Sequence, residues 1–502
     1  MAHRMEGNTR YMTSSRIRFR PKSAAKAVTL ALGLFLAASP LQAQDTSLPS
    51  IGGAGGGLIS GQQESEIGEQ VMVSIRRSAP RITDPLVFDY LTAITYQLVP
   101  SAPLQERDLT LALIDSPAIN AFAVPGGIVG VNGGLFLNAT TEQQFASVLA
   151  HELAHLSQRH FARRLEQQET SAPLTIAGMI AGIVLSAVTQ SDLGIAAIAG
   201  TQALAVQNML AYSRAHEQEA DRVGLEILAS AGMDPDGMPE MFEIMMRQNR
   251  LQGNRPPEYL STHPLTQSRV ADTRNRAEQY PERVVQDSKE FHLIRSRLQV
   301  RYAASADVAV ETFEAYLDRD ETKRNEAIRY GLAVAYKEKN QPEKALELLK
   351  DLLDQNPGRI TFQVTLADVL IGQKRTQEAR TLLEGALARN PENYPIMHSL
   401  AETELADGNG AAAAEILTQL TRMLPGQENL WLRLAEAEGM ARNIVGVHRA
   451  RAEYDALMGN LEAAQRQLRQ AQEKLPAGSP QRQVVTERLG EITSRLNARR
   501  RG

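Results

Sequence analysis

In the run Ala150-His151-Glu152-Leu153-Ala154-His155-Leu156, two histidines stand four residues apart with a glutamate between them. On an α-helix that spacing puts both imidazoles on one face, where their nitrogens can hold a single Zn²⁺ ion. Glu152 then lies beside the metal as a base that can take a proton from water. Hydrolysis of a peptide bond is the expected chemistry. A catalytic zinc needs a third protein ligand and one position left for water. The compact metzincin arrangement requires glycine at 158 and histidine at 161; this chain has Gln158 and Phe161, so the third ligand lies further on.

The best candidate is Glu217, in Ser213-Arg214-Ala215-His216-Glu217-Gln218-Glu219-Ala220-Asp221. Glu217 and Asp221 share a helical face, so Glu217 can bind zinc while Asp221 accepts a hydrogen bond from the far nitrogen of a ligand histidine. A simple salt-bridge role suits Asp221 equally well. Glu219 points roughly the opposite way and His216 is offset by about a quarter turn, so both are expected on the surface. His160 falls about 140° round the helix from His155 and is expected to make structural hydrogen bonds rather than to bind metal. His292, His398 and His448 lie outside the catalytic unit.

These residues need elements to carry them. Thr141 and Gln144 suit a capping box ahead of the apolar stripe Phe145, Val148 and Leu149, which predicts a helix through the histidine motif. Strand candidates at 109–114 and 127–131 make residues 65–286 an α+β metallopeptidase domain of the zincin kind. Inside it, apolar stretches at 174–188 and 193–206 flank a polar break. Each is short for a membrane span, so 174–206 is expected to be buried or to make shallow peripheral contact with lipid.

Beyond residue 287 the chain repeats itself. Pro357, Pro391 and Pro425 fall 34 residues apart, as do Ala345, Ala379 and Ala413, each alanine followed four residues later by Leu349, Leu383 or Leu417. That period predicts an α-solenoid of tetratricopeptide repeats over 287–502, a mainly α chain as a whole, and a concave surface for polypeptide partners. A further copy, Ala464 with Leu468 and Pro476, sits 51 residues after Ala413, an excess of 17 that predicts one additional helix.

At the other end, Arg16, Arg18, Arg20, Lys22 and Lys26 precede an apolar stretch over 27–38 and Leu41-Gln42-Ala43. This is the pattern of a signal peptide over 1–43, cleaved after Ala43, and export to a bacterial periplasm is the expected localisation. The Gly-rich segment 44–64 reads as a flexible tail. The chain holds no cysteine, which excludes disulfides, thiolate catalysis and a lipid-modified cysteine. With 43% hydrophobic and 22% charged residues its 502 residues suit at least two globular domains, and a formal net charge of -4 gives no basis for nucleic-acid binding.

His151-Glu152-Leu153-Ala154-His155 with Arg159-His160 after it, Asn120-Ala121-Phe122-Ala123-Val124-Pro125-Gly126-Gly127 before it, and Glu217 to Asp221 downstream together resemble the gluzincin family that includes the CAAX prenyl proteases. The resemblance implies His151, His155 and Glu217 as ligands of one Zn²⁺ per chain and Glu152 as catalytic base. It also draws in Ser261-Thr262-His263-Pro264-Leu265 and Arg269. His263 is implied as a regulatory fourth ligand that shuts the site, and Arg269 as a group that either stabilises the oxyanion or fixes the loop. The implied partners are unfolded or misassembled polypeptides, above all outer-membrane β-barrel proteins, with the repeats docking on the outer-membrane assembly machinery and lending chaperone-like activity. Two rival readings are a non-proteolytic chaperone or adaptor working through its repeats and a zinc hydrolase of non-peptide substrates.

Overall fold

A computed structural model describes residues 60–167, 213–251, 258–281, 287–319 and 325–501. The expected signal peptide, the Gly-rich run and the 174–206 stretches lie outside the described residues. Helix α1 (Gly61–Ser78) begins within the segment expected to be a tail. The reason is a capping box: Ser60 Oγ accepts from Gln63 N, and Gln63 Oε1 accepts from Ser60 N. Asp84 caps α2 (Pro85–Leu98), with proline at the first helical position.

Three strands follow, β1 (Thr110–Ile114), β2 (Ala121–Val124) and β3 (Ile128–Asn132), in the order β1-β3-β2. β1 runs parallel to β3 with Thr110 opposite Ile128, and β2 runs antiparallel to it with Ala121 opposite Val131. Among the described residues β2 is thus an edge strand. Gly130 permits this packing, because a Cβ there would stand 2.1 Å from the Phe122 ring. A short α3 (Gly133–Asn138) leads into α4 (Glu142–Ser157), the helix of the histidine motif. Thr141 caps α4 as expected, but Gln144 Oε1 accepts from Thr140 N and Oγ1 instead of Thr141 N, so only half of the expected capping box forms. Every residue from Gln143 to His155 is buried, so α4 is a central helix rather than a half-exposed one.

Helix α5 (His160–Gln167) turns off the end of α4. α6 (Arg214–Ser230), α7 (Gly237–Leu251), α8 (Glu258–Thr262) and α9 (Gln267–Ala277) complete the layer around it. α6 lies against α4, and Gly224 sets the distance: a Cβ there would come within 3.3 Å of the backbone N and Cα of His151.

Next come α10 (Lys289–Arg301) and α11 (Ala306–Leu317), then the helix pairs α12 (Glu326–Glu338) with α13 (Pro342–Gln355), α14 (Ile360–Gly372) with α15 (Thr376–Arg389), and α16 (Tyr394–Ala406) with α17 (Gly410–Met423). The repeating alanines and leucines all lie fully buried in the second helix of a pair, where a small residue admits its neighbour closely. Before α20 (Leu461–Glu473), which carries Ala464, the chain forms α18 (Glu428–Met440) and α19 (Ile444–Leu457), two helices where the regular pattern has one. The 17-residue excess is that one helix. α21 (Pro480–Arg501) ends the series.

One apolar core runs from α2 through α4 and α10 to Leu400 in the repeats. Arg297 on α10 ties its polar boundary: it pairs with Asp84 and donates to Tyr330 Oη at 3.1 Å and Thr365 Oγ1 at 3.3 Å. The array also returns to α1, where Arg76 donates to the carbonyls of Gly426 and Leu457, and to the segment after it, where Arg81 pairs with Glu428.

Burial alone would raise the Asp84 carboxyl, but the Arg297 charge and hydrogen bond hold it below its ordinary value. A carboxylate depressed in the fold stabilises above its unfolded pKa, and that contribution is lost as pH falls through the folded value. Asp84→Ala removes this pair and a helix cap, so urea unfolding at pH 7 should show a loss of roughly 3–5 kcal/mol. The gap between variant and wild type should narrow once pH falls below about 3.9. A variant as stable as wild type at pH 7 would remove Asp84–Arg297 from the account of the fold.

Candidate metal centre

Helix periodicity on α4 brings the Nε2 atoms of His151 and His155 to 3.0 Å from each other. α6 supplies Glu217, with Oε2 3.6 Å from His151 Nε2 and Oε1 3.5 Å from His155 Nε2. His263, just past α8, brings Nδ1 to 3.1 Å from Glu217 Oε1. One ligand atom from each of His151, His155, Glu217 and His263 lies within 4.8 Å of the others, and all four residues are buried.

The far ring nitrogens are held from outside the cluster. Asp221 Oδ1 lies 3.1 Å from His151 Nδ1, and His160 Nδ1 lies 2.9 Å from His155 Nδ1. Both oxygens of Glu152 are buried without a hydrogen-bond partner among the described residues, with Oε1 3.5 Å from His263 Nε2. Buried carboxylate oxygens need partners. Unbonded oxygens beside two converging imidazole nitrogens and a second carboxylate fit a divalent cation and its water, and the all-N/O donor set suits a borderline or hard metal.

Charge follows the same geometry. Burial disfavours imidazolium at His151, yet Asp221 and Glu217 outweigh it and push the ring up to about 9. At His155 burial prevails and holds the ring well below its usual value. Burial would raise Glu217, but His263, His151 and His155 keep its carboxyl well below the carboxylate range. A metal held by His151 would compete with a proton for the ring, which would couple its binding to pH.

Arg269 on α9 gives Nε and Nη2 to the two oxygens of Asp221, each at 2.7 Å, while Nη1 reaches Glu217 Oε2 at 2.7 Å and Pro264 O at 2.8 Å. The guanidinium thus bridges both carboxylates and the backbone carbonyl of the residue after His263. Phe242 lies beneath it, 5.1 Å from ring centre to guanidinium carbon.

Of the two residues expected on the surface, His216 is buried and Glu219 is partly exposed. His216 stacks on His160 with ring centres 4.5 Å apart, and Glu219 has Oε2 3.1 Å from His160 Nε2. The spacing argument gave α6 a single protein-facing side, but α5 covers a second flank of that helix. His160 itself makes hydrogen bonds of the structural kind expected of it. Tyr259, not singled out from sequence, is buried with its ring stacked 4.5 Å from that of His263 and its hydroxyl without a hydrogen-bond partner among the described residues. The only signal was its four-residue spacing from His263. Beside the cluster, a groove runs between Ala123–Gly127 of β2 and its turn, Glu64 and Ser65 of α1, and His155 and Arg159 at the end of α4.

Against known proteins, residues 85–277 match peptidase family M48, and residues 303–363, 338–403 and 370–437 match a tetratricopeptide repeat. The beta-barrel assembly-enhancing protease of Escherichia coli (strain K12) is 36% identical over 447 residues, 89% of this chain and 91% of its own length. Its namesake in Yersinia pestis is 34% identical over 462 residues, 91% of this chain and 94% of its own. The mitochondrial metalloendopeptidase OMA1 of Bos taurus is 33% identical over 165 residues, 32% of this chain and 31% of its own, a likeness confined to one part of the chain.

Replacing Asp221 with alanine strips His151 of its orienting acceptor and leaves Arg269 half-paired. Zn²⁺ affinity, read by competition with a chromophoric chelator, should fall roughly 10- to 100-fold. Undiminished affinity would detach Asp221 from the centre.

Proposed function

Because the chain belongs to the beta-barrel assembly-enhancing proteases of peptidase family M48, we propose that it is a zinc-dependent endopeptidase of the periplasm, one ion per chain, that degrades misassembled outer-membrane β-barrel proteins. The observation that carries the reading is the convergence of four buried ligand atoms beside the unbonded carboxylate of Glu152. His151, His155 and Glu217 hold the ion, and Asp221 and Arg269 orient them. When bound, the metal supplies Lewis acidity for a water and a scissile carbonyl. Glu152 takes the proton from the attacking water and hands it to the departing amine.

Edge strand β2, beside α4, offers its backbone to an extended segment, so unfolded or edge-exposed chains enter by adding a strand. That selectivity suits β-barrel precursors, whose strands lack partners until the barrel closes. The repeats supply the concave surface that engages such precursors and the assembly machinery, which adds a chaperone-like function to the proteolytic one. Export follows from the signal-like pattern over 1–43.

His263 stands beside the three expected ligands, and we read it as the group that fills the position a water needs and so shuts the enzyme. The same observation favours the adaptor reading for as long as His263 stays in place.

Glu152→Gln should keep Zn²⁺ and lose casein cleavage by about 10²- to 10⁴-fold, the span a positioned base contributes; undiminished cleavage would leave the adaptor or another base. His263→Ala should cleave casein faster than wild type, and an equal or slower rate would rule out inhibition by this residue.

A further inference from the structure

Two groups behind the metal cluster have no part in the reaction described so far. His160 opens α5 and is fully buried, and Glu219 stands two residues past Glu217 on α6. They join end to end with a ligand. His155 Nδ1 lies 2.9 Å from His160 Nδ1, and His160 Nε2 lies 3.1 Å from Glu219 Oε2. Arg163, one turn along α5, donates to the same Glu219 oxygen at 3.0 Å, and His216 stacks on the His160 ring.

The donor and acceptor roles along this line follow from one fixed end. A carboxylate accepts, so His160 Nε2 carries the hydrogen it shares with Glu219. In the neutral imidazole the other nitrogen is then a bare acceptor, so His160 Nδ1 takes the hydrogen of His155 Nδ1. His155 is left with its lone pair on Nε2, the nitrogen that faces His151 and Glu217. Reversing any link would put a hydrogen on the nitrogen the metal requires.

We infer that Glu219 and His160 form a relay that fixes the tautomer and orientation of His155, making His160 a positioning residue for metal capture. The inference rests on the reading of His151, His155 and Glu217 as metal ligands. The two ligand histidines thus have different neighbours: Asp221 Oδ1 stands 3.1 Å from His151 Nδ1, and His155 Nδ1 meets an intervening imidazole. Glu219 can do this from a half-buried place because Arg163 steadies it at the protein surface.

The test is Zn²⁺ affinity of the full chain, by competition with a chromophoric chelator, alongside the melting temperature of the chelator-treated protein. His160→Phe keeps a ring for His216 to stack on but removes both nitrogens; affinity should drop roughly 10- to 100-fold while the metal-free melting temperature stays near that of wild type. His160→Asn, whose Oδ1 can stand in for Nδ1 as acceptor, should recover most of that loss, which a purely space-filling role would not produce. Glu219→Ala, with the same metal-free melting temperature as its folding control, should weaken binding several-fold, within the range for partners of ligand histidines. A Glu219→Ala chain that binds Zn²⁺ as tightly as wild type overturns the relay, and so does a folded His160→Phe chain that does the same. Wild-type protein that binds no Zn²⁺ would instead bring down the metal reading beneath it.

Discussion

A carboxylate taken almost wholly out of water has to be paired, and Glu217 is such a group. Its two oxygens are faced by His151, His155, His263 and Arg269, which come from three separate stretches of chain. Remove any of these partners and a buried negative charge is left short of compensation. The catalytic half of the molecule is organised to prevent that. α4 is buried on every side so that its histidines face inward. α6 approaches closely enough, through Gly224, to lay Glu217 across them. α9 delivers Arg269 to both carboxylates at once.

The same constraint explains why function and fold are hard to separate here. Arg269 links Glu217 and Asp221 to the Pro264 carbonyl, so the carboxylates of the buried cluster also anchor the segment that bears His263. Moving His263 out of the cluster would cost its contact with Glu217. The repeats share one apolar core with the catalytic helices and hold α1 through Arg76 and the segment after it through Arg81, while the other end of α1 reaches the groove beside β2.

Much of this was legible in the sequence where the signal is local or periodic. The four-residue spacings of His151 with His155 and of Glu217 with Asp221 fix helical faces, and a 34-residue period fixes a repeat register, down to the single additional helix ahead of Ala464. What escaped depends on contacts between distant segments. His216 reads as solvated because spacing on one helix says nothing of the α5 flank that covers it. Tyr259 carried no motif, and its place against His263 comes from the turn that ends α8. Arg269 had two possible roles because its choice of carboxylates depends on how α9 meets α6. The early start of α1 rests on Ser60 and Gln63, a local signal hidden by the glycine run before it.

Anomalous diffraction at the zinc edge, from crystals of the zinc-loaded chain, bears most directly on the claim that these residues make one centre. The account predicts a single strong peak bounded by His151 Nε2, His155 Nε2 and the Glu217 carboxylate, about 2.0–2.2 Å from each ligand atom. A density peak elsewhere, or none between these three side chains in a protein that has taken up zinc, would contradict it.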